Sequence, residues 1–183
     1  MEWGPQLVGQ MEFYWDVHLR PRLEGLTDDE YAWRPVADCF DLEPADGDRL
    51  RYTEPARETP LITTLRWRLM HIALGCFRSR ASTFFGDGSV PDDADMFDDR
   101  HCPETVPGDA LGALELLDRS YAWWHDAIAA LDDEAMGRPL GPKGAFFAEE
   151  PMAALVLHVN RELMHHGGEI GLLRDLYRDR FGA

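Results

Sequence analysis

The residues best suited to chemistry lie near the carboxyl end of the chain, where Glu162 and His166 are four positions apart. Side chains at positions i and i+4 of a helix lie on the same face, so this pair could bind one metal ion. His166 falls near the centre of the apolar stripe of its segment. Because glutamate is almost never fully buried unless it is paired or ligates a metal, the spacing indicates either a metal site or a hydrogen-bonded pair.

A zinc ion with an open coordination position usually has three protein ligands, and two histidines with one carboxylate are a common set. The third ligand would have to come from another helix. His71 is the natural candidate, because it is the only histidine of its segment and shares an apolar face with Trp67 and Leu74. His18 is the competitor, since it falls on the apolar stripe of the first segment. The alternative role for His71 is that of a core histidine with satisfied hydrogen bonds.

Three other residues lie near this pair on the same helix. His158, at the edge of the apolar stripe, could donate a hydrogen bond to Glu162, as groups around metal ligands often do, or could be a surface histidine. His165 is expected to face solvent or a loop. Glu169 falls on the same side of the helix as Glu162 and, like His158, could assist a hydrolysis by metal-bound water.

Four segments with helical periodicity would position these residues. They span 6–24, 60–85, 109–131 and 150–178. Apolar residues recur three and four positions apart in each of them, and stretches rich in Gly and Pro lie between them. Thr59 is the expected N-cap of the second helix, with Pro60 at its first position. This second helix is apolar on two faces, which predicts that it is packed between neighbours.

No segment shows strand-like alternation of any length, and no internal repeat is present. The prediction is therefore an all-α protein, a four-helix bundle that forms a single domain over residues 1–183.

Charge and composition exclude several classes of protein. The chain has 34 acidic and 18 basic residues and a formal charge of -16, so no nucleic acid or membrane surface is expected as a partner. No apolar run approaches the roughly 20 residues of a membrane span, and the first residues do not resemble a signal peptide. Cys39, Cys76 and Cys102 form no CxxC pair, which predicts free thiols that bind no metal in a cytoplasmic protein.

The carboxy-terminal segment LHVNRELMHHGGEIGLLRDLYR resembles the fourth helix of the DinB-like superfamily. These are four-helix bundles that include mycothiol-dependent maleylpyruvate isomerases and other low-molecular-weight-thiol transferases. The segments RPRLEGLTDDEYAWRPV, TLRWRLMHIALG and ALELLDRSYAWW agree with it, so the resemblance covers nearly the whole chain.

The resemblance implies a divalent-metal site at His71, Glu162 and His166, with glutamate at the position where many members carry histidine. The metal would be zinc, or alternatively nickel, iron or manganese. The implied function is that of a thiol S-transferase or isomerase acting on a small-molecule substrate and thiol. A metal-dependent hydrolase and a non-catalytic metal- or ligand-binding bundle remain as alternatives. The resemblance also implies a homodimer.

The sequence does not single out a basic group that would bind the substrate. Four arginines line the second helix and any of them could reach a pocket beside the site: Arg66, Arg68, Arg78 and Arg80.

Overall fold

The computed structural model describes residues 3–56 and 62–182. It contains four long helices and two short ones, numbered in chain order. They are α1 (Trp3–Tyr14, continued by Trp15–Leu19 and Arg20–Arg22), α2 (Asp28–Tyr31), α3 (Leu65–Met70, continued by His71–Arg78 and Ser79–Phe85), α4 (Ala110–Ala129), α5 (Asp133–Met136) and α6 (Met152–Phe181). Short 3₁₀ turns cover Asp99–His101 and Pro142–Phe147. The chain is all-α.

The long helices form a closed bundle, because each packs against two others. Helix α1 contacts α4 and α6, and α3 contacts the same two from the opposite side. The residues predicted for both apolar faces of α3 are buried, so α3 is packed between neighbours as its sequence pattern predicts. Tryptophan, methionine and aliphatic side chains from all four helices fill the common core.

Local hydrogen bonds explain where two of the helices begin. Asp109 caps α4, since its carboxylate accepts a bond from the Gly112 amide at 2.8 Å. Helix α3 is capped by Thr64, whose hydroxyl oxygen accepts from the Trp67 amide at 3.3 Å. The prediction that this helix begins at residue 60 is therefore wrong, and the predicted cap at Thr59 and Pro60 lies outside the described residues. Helix α6 extends three residues beyond its predicted end, to Phe181.

Two of the long helices contain π-helical segments, in which the backbone bonds span five residues instead of four. The segment Trp15–Leu19 in α1 shifts the apolar stripe by one position, so that Trp15 and Leu19 face the core. His18 is consequently exposed. The prediction that His18 lies on the buried stripe is wrong for this reason. The second π-helical segment, His71–Arg78, begins at a candidate ligand.

A small antiparallel sheet packs beside the bundle, although no segment of the sequence shows strand-like alternation. It consists of β1 (Glu43–Pro44), β2 (Arg49–Arg51) and β3 (Val106–Pro107), with β2 in the centre. Strands of two and three residues are too short to give a recognisable alternation. The sheet joins the two long loops, and the residues that follow β2 reach the candidate site.

In the part of the chain that the structure describes, no helix has the length and apolarity needed to cross a membrane.

Candidate metal centre

Helices α3 and α6 bring three metal-binding side chains together inside the bundle. Donor atoms of His71, Glu162 and His166 all lie within 4.8 Å of one another. The two imidazole rings meet edge to face with their centroids 4.6 Å apart. His166 Nε2 is 3.2 Å from Glu162 Oε2. The inward faces of two packed helices therefore supply two imidazoles and one carboxylate to a single place.

His71 is oriented by the chain that follows β2. Its Nδ1 lies 2.9 Å from Glu54 Oε1 and 2.9 Å from the Tyr52 hydroxyl oxygen. The Tyr52 hydroxyl also donates to Glu54, and Trp67 stacks on the other side of the imidazole with centroids 5.0 Å apart. Because Nδ1 is engaged by the carboxylate, Nε2 is the His71 atom available to a metal.

His166 is arranged in the same way by its own helix. Its Nδ1 lies 2.7 Å from Glu169 Oε2, and the Arg68 Nε donates to that oxygen at 3.0 Å. The Arg68 Nη1 also lies 3.0 Å from the same Nδ1, so a carboxylate and a guanidinium both contact this side of the ring. The opposite ring nitrogen, Nε2, faces Glu162.

Burial and charge set the proton affinities of these groups. Burial lowers the pKa of His71, but the contacts with Cys76 and with the Glu54 carboxylate raise it more strongly, to about 10. Burial also opposes ionisation of Glu54, yet its bonds with His71 and Tyr52 hold the pKa of its carboxyl below the usual value. Burial raises the pKa of Tyr52, so its hydroxyl keeps the proton that it donates.

The remaining histidine candidates lie around this cluster and not in it. Burial lowers the pKa of His158, and Arg161 donates to its Nδ1 at 2.6 Å. His158 therefore lies beside Glu162 as a neutral imidazole, with its Nδ1 3.6 Å from Glu162 Oε1. His165 is exposed, as its position on the helix predicts. His18 lies on α1 against Phe13, where it contributes nothing to the cluster.

A second group of donor atoms comes from His165, His166 and Glu169. It is the weaker candidate because Glu169 is already bonded to Arg68 and to the Nδ1 of His166. Free thiols are present at Cys39, Cys76 and Cys102, and none belongs to either donor group within the described residues.

Of the four arginines that the sequence places on this helix, now α3, Arg68 contacts the donor residues. The Arg66 guanidinium binds the Asp41 carboxylate. Arg78 lies over the Trp123 ring. Arg80 is buried and donates to the Met96 carbonyl oxygen.

Two cavities flank the cluster. One of about 550 Å³ reaches Arg68 and Glu169. The other, of about 460 Å³, reaches His158 and Arg161 on the side of Glu162. None of the three donor residues is among those that line either cavity.

The donor set fits a divalent ion by its chemistry. Two imidazole nitrogens and a carboxylate oxygen are a common zinc set that leaves a position open. Hydrogen bonds from the second nitrogen of each histidine to a carboxylate are typical around metal ligands, because they fix the tautomer and the ring orientation. Sequence reasoning missed Tyr52 and Glu54, since they lie in a loop without periodicity and only the packing of the β-sheet brings them to His71.

Fold and site together define an all-α bundle with a histidine–carboxylate cluster between two of its helices. The family model of the DinB superfamily matches residues 16–170, and the chain belongs to this superfamily. Metal binding is typical of the superfamily. No curated protein and no solved structure is similar enough to this chain to add a comparison.

Proposed function

We propose that this protein is a divalent-metal-dependent enzyme whose metal is held by His71, Glu162 and His166. One observation carries the proposal: the donor atoms of these residues converge while a carboxylate holds the Nδ1 of each imidazole. Without a metal ion, placing two largely buried imidazoles next to a carboxylate would cost solvation free energy with little compensation. Zinc suits this donor set best, with nickel, iron or manganese as alternatives.

The reaction that we propose is the transfer of a small thiol to an electrophile, or an isomerisation assisted by that thiol. When bound, a divalent ion at such a site stabilises the deprotonated form of a thiol. Arg68 holds Glu169 and thereby fixes the ring of His166. The two flanking cavities give a two-substrate reaction separate places for its reactants.

A second candidate is a metal-dependent hydrolase, which His158 favours. Its imidazole is neutral and lies beside Glu162, so it could take a proton from a reacting water. Turnover of thiols with electrophiles, compared with turnover of esters and amides, distinguishes the two reactions. A non-catalytic bundle would turn over none of them.

The metal assignment is tested by a matched pair of neighbouring variants. We expect His166→Ala to purify without bound metal, because it removes one of three ligands. The variant His165→Ala should keep its metal, since His165 is exposed and outside the cluster. Metal content per chain, measured by elemental analysis after equilibration with zinc, decides between them. Equal metal content in both variants would contradict the proposed ligand set.

A further inference from the structure

The cavity of about 460 Å³ has apolar walls, and its size is typical of sites for small molecules. Six apolar residues from α6 and two loops form most of the wall: Met96, Phe97, Leu140, Phe147, Ala154 and Leu155. The rings of Phe97 and Phe147 pack against each other in this wall, tilted by 48° with their centroids 6.4 Å apart. Both rings are about half exposed, which leaves apolar surface for a ligand to cover.

One end of this cavity is positively charged. Arg161 lines it, and its side chain is 70% exposed. Within the described residues, Arg161 donates to His158 and lies 3.7 Å from Glu162 Oε1, so part of its guanidinium remains free for a ligand. Glu150, which precedes the first residue of α6, also lines the cavity. The lining therefore contains one cationic and one anionic side chain.

Hydrogen bonds hold the loops of the cavity in place. The Met96 amide donates to the Lys143 carbonyl oxygen at 2.9 Å, and the buried Arg80 lies 4.8 Å from the centre of the Phe97 ring. In the turn Pro142–Phe147, Ala145 has a φ of 50°, which is costly for a residue with a side chain. Such a conformation persists only where the surrounding contacts fix it, so this wall is preformed.

We propose that this cavity binds a small organic carboxylate with an aromatic or aliphatic body. The carboxylate would pair with Arg161, and the body would lie against the exposed surfaces of Phe97 and Phe147. In a protein with a charge of -16, an anion needs such a local cation, and a planar guanidinium binds carboxylates with two parallel bonds. The identification of this ligand as the electrophilic substrate rests on the proposed function, whereas its binding does not.

The test uses 4-phenylbutanoate and its neutral analogue 4-phenylbutan-1-ol as probes in calorimetric titrations of the whole protein. We expect the carboxylate to bind, and to bind several-fold to about tenfold more tightly than the alcohol, because a guanidinium forms stronger hydrogen bonds with a carboxylate than with a neutral hydroxyl group. Arg161→Met should remove this preference and Arg161→Lys should restore part of it. Phe147→Ala should weaken the binding of both probes by a similar factor. Arg138→Met should leave the binding of both probes unchanged, because Arg138 is exposed and pairs with Glu134.

Two measurements distinguish a failure of the cavity proposal from a failure of the metal assignment. Zinc content is recorded for each variant, so that a lost metal site is not mistaken for a lost carboxylate site. Binding of 4-phenylbutanoate to His166→Ala protein, with the preference for the carboxylate kept, supports the cavity even if the metal assignment fails. Equal binding of both probes, or an unchanged preference in Arg161→Met, would overturn the proposal while leaving the metal assignment intact.

Discussion

At the level of single residues, His71 has a strongly raised pKa. His71 has the Glu54 carboxylate on its Nδ1 and a pKa of about 10. At neutral pH it therefore carries a proton on each nitrogen in the metal-free protein. His166 has both the Glu169 carboxylate and the Arg68 guanidinium at its Nδ1. A metal ion that binds to both rings must displace the Nε2 proton of His71.

The affinity for zinc should consequently rise with pH. Below the pKa of His71, each bound ion releases this proton, so affinity is expected to increase about tenfold per pH unit between pH 6 and pH 8. Calorimetric titrations in two buffers with different ionisation enthalpies measure the number of protons released. An affinity that does not change over this range would show that His71 is neutral in the metal-free protein or is not a ligand.

Glu54 provides the matched control for this dependence. Glu54→Gln removes the negative charge, which lowers the pKa of His71 and should reduce the number of protons released. It should also weaken zinc binding about 10- to 100-fold, as is usual when a partner of a ligating histidine is lost. Glu43→Gln changes a glutamate in the adjacent strand that does not contact His71, and should leave both quantities unchanged.

At the scale of elements, the π-helical turn of α3 allows the loop after β2 to approach His71. Gly75 lies in this turn, and a Cβ atom there would be 2.9 Å from the Tyr52 hydroxyl oxygen and 3.3 Å from Glu54 Oε1. Both distances are shorter than ordinary contacts between such atoms. The absence of a side chain at this one position therefore permits the loop to close on the imidazole.

Gly75→Ala should accordingly damage the site more than the fold. We expect Tyr52 and Glu54 to move away from His71 and zinc affinity to fall about 10-fold or more, while the helical circular dichroism spectrum is kept. Gly9→Ala, at a helical glycine with nothing within 4 Å of the added Cβ, serves as the control. It should retain zinc affinity and gain roughly 0.5–1 kcal/mol in stability. Unchanged zinc affinity in Gly75→Ala would contradict this role for the loop.

At the scale of the whole molecule, a buried ion pair joins α6 to the start of the chain. Arg174 is fully buried and binds both carboxylate oxygens of Glu30, at 2.7 and 2.9 Å. It also donates to the carbonyl oxygens of Arg22 and Glu24 at the end of α1. The end of α1, the adjacent α2 and the distant α6 thus meet at one guanidinium.

Loss of Glu30 should therefore destabilise the whole bundle. Glu30→Ala is expected to lower the free energy of unfolding by about 3–5 kcal/mol, because it leaves a buried charge without its partner. Asp29→Ala, at the exposed neighbouring residue, should cost far less. Urea denaturation measures both, and a single transition in the parent protein would also support one domain over residues 1–183. A loss below 1 kcal/mol in Glu30→Ala would show that Arg174 finds another partner or solvent.

Hydrophobic periodicity was enough to predict the helices and the direction of the candidate ligands. Apolar residues at helical spacing force one face of each segment inward, whatever the neighbours are. This local rule predicted the four long helices to within a few residues at most ends. It also placed His71, Glu162 and His166 on inward faces, although their metal binding stays a prediction.

Which other groups reach these ligands depends on how the helices and loops pack in three dimensions. Tyr52 and Glu54 contact His71 because three very short strands hold two loops together, and no local pattern encodes such strands. The exposure of His18 depends on a π-helical shift in α1, and the selection of Arg68 among four arginines depends on how α3 packs against α6. Contacts of this kind join residues that are distant in sequence, so they follow from packing and not from periodicity.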